Sequence, residues 1–345
     1  MNTTLRMPAE WEKQEATWFS WPHNVEDWPG KFDPIPWVFT EIFRALTRHQ
    51  KVKLLVKDAA TKKQATSYCK RAGLDLKKIE MHTIPTDRGW MRDCGPIFVY
   101  AGKEKLQLDW RFTGWAKYKN HKLDDAVPAL INRSNLLSGA EPILKGKRVV
   151  LEGGSIDVNG KGTLITTEEC LLSEKVQCRN PGFTRRDYET VFECYLGAGN
   201  VIWLDKGIVG DDTHGHVDDI TRFVNENTVV TVVEKNKKDD NHKLLQDNLR
   251  RLKAARDQDG KQLNIVELPM PSPVVFEGQR LPASYANFLI ANGVVLVPTF
   301  NDPMDRIALN ILAECFPTRE IAPIHAVDLV WGLGTIHCMS QQEPA

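Results

Sequence analysis

The 345-residue chain has no excess of charge of either sign. Its 45 Lys and Arg balance 45 Asp and Glu, giving a net charge of +0 and a pI near 7.1. That balance leaves no electrostatic footprint for nucleic acid or an anionic membrane. No apolar run approaches the roughly 20 residues of a membrane-spanning helix. The start, MNTTLRMPAEWEKQEATWFSWP, lacks an apolar signal core, so a cytoplasmic location is expected. Cysteine is sparse and unpatterned: seven residues, an odd number, with no C-x-x-C pair. This argues against a disulfide framework and against a structural zinc site. Low-complexity linkers are missing too, and a hydrophobic fraction of 42% with 26% charged residues is that of an ordinary globular protein.

Tryptophan is what the sequence has in unusual measure. Eight of ten fall in the first third, at Trp11, Trp18, Trp21, Trp28, Trp37, Trp90, Trp110 and Trp115. An aromatic core layer is the plain reading. A ligand pocket walled by some of them is the sharper one, since indole faces suit alkyl chains and cations.

The length alone suggests two domains, but a recurring unit argues otherwise. Residues 149–172, VVLEGGSIDVNGKGTLITTEECLL, predict a hairpin turning at Asn159-Gly160. A helix over RNPGFTRRDYETVFECYL and a strand NVIWLD follow. The order recurs through HVDDITRFVNENTVVTVVE, a helix over NHKLLQDNLRRLKAARD, and NIVELP. It recurs again through YANFLIANGVVLVPTF, DRIALNILAECF and EIAPIHAVDLVWG, and RDCGPIFVYAGKEKLQLDWRF is a further hairpin. Four or five strand–strand–helix–strand units of this kind predict a radial or stacked α/β architecture, read as a single domain over 1–345 with a central cleft.

Three acids take matching places in these units. Asp93 lies eight residues before its hairpin turn, and Glu152 and Asp218 seven before theirs. Each is expected to open the first strand of its hairpin, so that all three point into one hole. Any one of them alone is as readily a turn cap. In DDTHGHVDD (211–219) the alternation of His214, His216 and Asp218 would put all three on one side of a strand. A metal site is one reading of that set. No H-E-x-x-H and no nearby cysteine completes it, so no metal and no cofactor is expected. Near the C-terminus, WGLGTIHCMSQQEPA places Cys338 after Gly332 and Gly334, glycines that let a ligand approach the backbone. A buried structural thiol is one reading; a nucleophile with a distant histidine as proton partner is the other.

A thiol among acids is electrostatically awkward, because negative neighbours raise its pKa. The arrangement makes sense if the substrate is a cation. A guanidinium is planar and pairs bidentately with carboxylates, and its charge would stabilise the thiolate.

The segments MPAEWEKQEATWFSWPHN, GWMRDCGPIFV, LEGGSI, THGHVDDITRFV, PASYANFLIANGVVLVPTFNDP and TIHCMSQQEP resemble, in order, the agmatine deiminase family. The resemblance covers nearly the whole chain and implies a five-bladed α/β propeller of ββαβ repeats. It implies Cys338 as nucleophile, His216 as general acid/base, Asp93 and Asp218 as guanidinium clamps, and Glu152 as a carboxylate pairing with substrate or histidine. Asp212 stands where the family carries an acid near the substrate's free amine, Trp90 would wall the channel, and Asp87 and Gly334 join the substrate-binding set. The implied reaction is agmatine plus water to N-carbamoylputrescine plus ammonia through a cysteine thiouronium. GLGTIHC, RFTGWAK (111–117) and His214 depart from the family's usual GGGNIHC, FNAWGG and Asn, and all surround the channel. They bear on the substrate tail more than on the reaction: another small guanidine, arginine or peptidylarginine are the alternatives, with Arg88 or Arg111 as cations for an α-carboxylate. A metal-dependent hydrolase and a non-catalytic binding propeller are the readings from other classes. The expected partner is a small cationic guanidine, with no nucleic acid, no membrane, and homodimerisation open.

Overall fold

The computed structural model describes residues 5–135 and 139–345, so the first four residues of the N-terminal stretch lie outside it. Its strands form five sheets of three or four strands and two isolated two-stranded hairpins. The mixed α/β pattern follows from the repeat seen in the sequence. In each of three units an antiparallel hairpin is followed by a helix and a third strand running parallel to the second. These are Asp157–Val158, Thr163–Thr167 and Asn200–Leu204; Thr221–Asn225, Thr228–Val233 and Asn264–Pro269; and Leu289–Ala291, Val294–Thr299 and Glu320–His325. The hairpin Ile97–Ala101/Glu104–Leu108 gains Gly139–Ala140 in parallel and Leu5–Arg6 in antiparallel register. The fifth sheet is assembled from both ends of the chain. Gln14–Ser20 pairs with the parallel strand Lys51–Val56, which pairs with Ile79–Thr83, and takes the C-terminal Ser340–Pro344 antiparallel on its other edge.

Local chemistry accounts for the elements. Asn159 accepts from the Lys161 and Thr163 amides, and Gly160 takes a φ of +70°, which closes the predicted turn. Helix Arg185–Val191 starts at a Thr184/Asp187 capping box, Asp240–Ala254 at Asp239, and Pro303–Cys315 at an Asp302/Asp305 box with Pro303 in its first turn. The parallel central strands, such as Val294–Val297, are buried throughout, as strands covered on both faces must be.

Two expectations are corrected. Asp93, Glu152 and Asp218 do not open strands. Asp93 sits in the short helix Met91–Cys94, Glu152 just before the 3-10 turn Gly153–Ser155, and Asp218 within Val217–Asp219. Each turn precedes its hairpin and projects the acid away from the sheet. Likewise His214, His216 and Asp218 do not alternate on a strand. His214 at φ +65° and Gly215 at φ +98° roll the chain over, so the two histidines point differently. Most tryptophans follow the plain reading: Trp18, Trp21, Trp28 and Trp110 are buried in the core, whereas Trp37 is exposed. All seven cysteines are free. Among the described residues, no helix is long and apolar enough to cross a membrane.

Candidate active site

Five side chains meet in the interior, each delivered by the start of a different sheet. Cys338 comes from the turn ahead of Ser340–Pro344, Asp93 ahead of Ile97, Glu152 ahead of Asp157, Asp218 ahead of Thr221 and Asn287 ahead of Leu289. Backbone bonds lock the turns together. The Arg92 amide donates to the Cys338 carbonyl at 3.2 Å, and Arg92 also donates to the His337 carbonyl and to Gln342. Asp211 builds the histidine loop, accepting from the Gly215 amide at 2.7 Å and the His216 amide at 3.1 Å.

The thiol of Cys338 accepts from Asn287 Nδ2 at 3.0 Å and lies 3.7 Å from Asp218 Oδ2. Asn287 is itself fixed: its Oδ1 accepts from the Thr335 hydroxyl and the His337 and Cys338 amides, which turns Nδ2 toward sulfur and toward Asp219. Asp218 Oδ2 meets His337 at 2.7 Å, and His337 meets Glu10, which in turn pairs with Arg222. The other Asp218 oxygen is buried without a partner.

His216 is wholly buried between Asp93 and Glu152, 3.7 Å from an oxygen of each, and neither ring nitrogen has a hydrogen-bond partner. Gly154 makes this approach feasible, since a Cβ there would fall 2.5 Å from His216 Nδ1 and 2.9 Å from Asp93 Oδ1. Asp93 accepts from Trp115 Nε1 at 2.8 Å and from the Gly154 amide at 3.2 Å. Glu152 is held by Arg179 Nε at 3.1 and 3.2 Å.

Charge in this site is costly. Burial pushes the Cys338 thiol well above its ordinary value, and Asp218, Asp219 and Asp93 push it further. Burial raises Asp93 to about 6 although His216 opposes it. For His216, burial disfavours the cation, but Asp93, Cys170 and Glu152 outweigh it and the pKa rises well above the usual imidazole range. Burial works against Glu152 as well, yet Arg179 and His216 hold it down to about 2. These surroundings favour a neutral thiol and gather acid around it, conditions that a cation would relieve.

From Cys338 a narrow cavity of about 70 Å³ leads outward past Asp93, Trp90, Trp115 and Tyr118 to Asp212, Arg88 and Asp27. Trp90 stacks on Trp28 at 5.4 Å, and a Cβ at Gly334 would lie 3.0 Å from both the Trp90 ring and Cys338 Cβ. The structure therefore brings together Cys338, His216, Asp93, Asp218, Glu152, Trp90, Gly334 and Asp212. Asp212 is not a free carboxylate: it accepts from the Tyr118 hydroxyl at 2.7 Å and pairs with Lys117. Asp87 stands apart; its carboxylate accepts from the Leu123 amide and it does not line the cavity. Arg88 lines the cavity and Arg111 does not. Sequence reasoning missed Asn287, Arg179, Trp115, Tyr118, Glu10 and Asp27. Residue spacing alone does not reach Asn287, although in the structure it stands just ahead of the strand Leu289–Ala291 as the three acids stand ahead of theirs.

Among the described residues, two sets of side chains are close enough to hold a metal ion, Glu152–Cys170–His216 and Asp218–Asp219–Cys338. The first set fits poorly, because Arg179 already occupies both Glu152 oxygens; in the second, His337 takes Asp218 Oδ2 and Asn287 Nδ2 donates to both Asp219 and the Cys338 sulfur.

The Porphyromonas-type peptidyl-arginine deiminase family matches residues 6–344. The agmatine deiminase of Ectopseudomonas mendocina is 35% identical, covering 99% of this chain and 96% of its own. A structure titled as the agmatine deiminase of Enterococcus faecalis superposes with a TM-score of 0.89 at 32% identity, over 99% of this chain and 96% of that one. A substrate-bound agmatine deiminase of C. jejuni gives a TM-score of 0.88 at 28% identity, over 99% and 96%. The chain belongs to the Porphyromonas-type peptidyl-arginine deiminase family, a family of hydrolytic deiminases.

Proposed function

We propose that the chain acts as one catalytic unit that hydrolyses a small guanidine to a ureido product and ammonia. Agmatine, named for its relatives, is the first substrate to try, with N-carbamoylputrescine as product. The observation that carries the reading is the buried thiol of Cys338 beside clustered acids, Asp218 with its Oδ1 lacking a partner, Asp219 and Asp93. A bound guanidinium supplies the missing cation. It donates to Asp93 and Asp218, lowers the thiol pKa so that the thiol proton passes to solvent and is later taken up by the departing ammonia as ammonium, and presents an electrophilic carbon. Sulfur adds to that carbon. Protonated His216 gives its proton to one nitrogen, the C–N bond breaks and ammonia leaves, giving a thiouronium. Neutral His216 then takes a proton from water, whose oxygen adds to the same carbon, and the C–S bond breaks to free the ureido product and Cys338. Glu152, kept ionised by Arg179, steadies the imidazolium.

The five ββαβ units are read as blades of a propeller, and the delivery of Asp93, Glu152, Asp218, Asn287 and Cys338 from five different sheets supports it. Ammonia and ureido product are to be measured with agmatine, with and without a chelator. The expected result is turnover unaffected by chelator and abolished in Cys338→Ala. Turnover surviving that substitution would refute the thiol mechanism, and turnover lost to chelator would restore the metal-dependent reading.

A further inference from the structure

We propose that Glu10 and His337 are positioning residues for the reaction: Glu10 fixes the His337 ring, and His337 holds one oxygen of Asp218, so that Asp218 meets the guanidinium as an oriented carboxylate with its other oxygen free. This rests on deimination at Cys338 with Asp218 as a clamp, and it concerns what stands behind that clamp. The three groups form a row. His337 Nδ1 lies 2.7 Å from Asp218 Oδ2, and Nε2 lies 2.9 Å from Glu10 Oε2. None of the three side chains is more than 7% exposed. Ionised carboxylates accept and cannot donate, so an acid on each ring nitrogen calls for an N–H on each.

Glu10 belongs to the N-terminal segment ahead of Gln14–Ser20, far in sequence from the rest of the site. Its Oε1 accepts from the Ile290 amide at 2.6 Å, and its Oε2 meets Arg222 as well as His337. Burial opposes its charge, but Arg222 and His337 outweigh burial and hold the carboxyl well below its ordinary range. Arg222 also donates from Nε to Asp157 at 2.6 Å and from Nη1 to the Phe288 and Ala286 carbonyls at 2.7 and 3.3 Å. Those carbonyls flank Asn287, so one buried network braces both groups next to the Cys338 sulfur, Asn287 and Asp218. For stability alone, an apolar cluster of similar volume would serve as well or better. What the row supplies is the charge state of Asp218. Burial disfavours that charge, yet the hydrogen bond and charge of His337 prevail and lower the pKa. The other cations facing Asp218 are His216, Arg222 and Arg92; the acids are Asp93 and Asp219, with the Cys338 thiol beside them. Because His337 takes Oδ2, the buried Oδ1 is the oxygen left for substrate.

The test is the pH dependence of kcat/KM for agmatine in His337→Gln and Glu10→Gln. In the unaltered enzyme Asp93, raised to about 6, sets the acid limb. Without the His337 cation the Asp218 pKa rises, so its ionised form is lost at higher pH as pH falls. The limb should move up by about one pH unit or more in His337→Gln and steepen from one proton toward two, and Glu10→Gln should move it the same way by less. Above the limb Asp218 is ionised again and kcat should recover, leaving the loss mainly in KM. Glu343→Gln, which breaks a buried pairing with Lys53 and Lys105, is the control for lost stability and should lower Tm without moving the limb. A limb unmoved in a folded His337→Gln enzyme, or a loss equal at every pH, overturns the proposal. Nitrogen NMR of the histidine-labelled, unaltered protein near neutral pH, with His337 assigned through its backbone, needs no variant to fold: both ring nitrogens should carry a proton, and a bare one overturns the row. If the unaltered enzyme releases no ureido product from agmatine or arginine, deimination itself is overturned, and the His337 nitrogens alone decide the row.

Discussion

Replacing Gly154 by alanine should damage the chemistry far more than the fold. Gly154 does not adopt a positive φ, so alanine brings no backbone strain and the whole effect comes from one methyl group. That Cβ would sit 2.5 Å from His216 Nδ1 and 2.9 Å from Asp93 Oδ1, where ordinary contact starts at 3.4 Å. The ring must therefore give way by about 0.9 Å, and a misplacement of about 1 Å can cost about 10²-fold in rate. His216 cannot easily absorb the push, because it is fully buried with Glu152 3.7 Å away on its other side. A kcat near 1% of the unaltered value is expected in an ammonia-release assay, or about a 10²-fold loss. Overpacking by one methyl costs about 1–3 kcal/mol, which lowers Tm by only a few degrees in a chain of this size. Gly199→Ala, where nothing lies within 4 Å of the added carbon, is the control and should leave both measurements unchanged. A Gly154→Ala enzyme with kcat within about threefold of the original would refute the placement of His216 between the two acids.

Other perturbations separate the remaining roles. Arg179→Leu strands Glu152 as an uncompensated buried charge, so urea unfolding should show a loss of about 3–5 kcal/mol, and a loss below about 1 kcal/mol would refute the pairing. His216 has a raised pKa, so its protonated form persists above the ordinary imidazole range and is lost only as pH rises through the higher value. Glu152→Gln removes one of the groups that raise it, and the alkaline limb of the kcat profile should move to lower pH; an unmoved limb would mean that another group titrates there. His216→Ala should lower kcat by about 10²–10⁴-fold. His214→Ala should keep most activity, because among the described residues His214 has no hydrogen bond or ion pair and it does not line the cavity; equal losses would revive the two-histidine metal site.

The candidate site was legible in the sequence to an unusual degree, and the reason is geometric. A repeat fixes where each unit begins, and the residue types that carry this chemistry stand at those beginnings, so Asp93, Glu152, Asp218 and Cys338 could be singled out without coordinates. Counted back seven residues from the Asn292-Gly293 turn, the same spacing lands on Tyr285 in the fifth unit, two residues short of Asn287. Tyr285 is buried and donates to Asp305, while Asn287 is the residue that reaches Cys338. A two-residue error follows from reading strand starts where the chain inserts helical turns, since turn length is set by contacts across units and not by local periodicity.

What the sequence by itself determined was the set of elements and the candidate residues of the site, because hairpin turns, helix caps and side-chain types are local properties. Only the tertiary structure decided which acids keep a free valence. Asp212 is matched by Lys117 and Tyr118 and Glu152 by Arg179, whereas Asp218 retains an unpaired buried oxygen although His337 engages the other, and Asp27 retains one although Arg88 engages the other. Those partners come from distant parts of the chain, and the energy of a buried charge depends on what packing brings within a few ångströms of it.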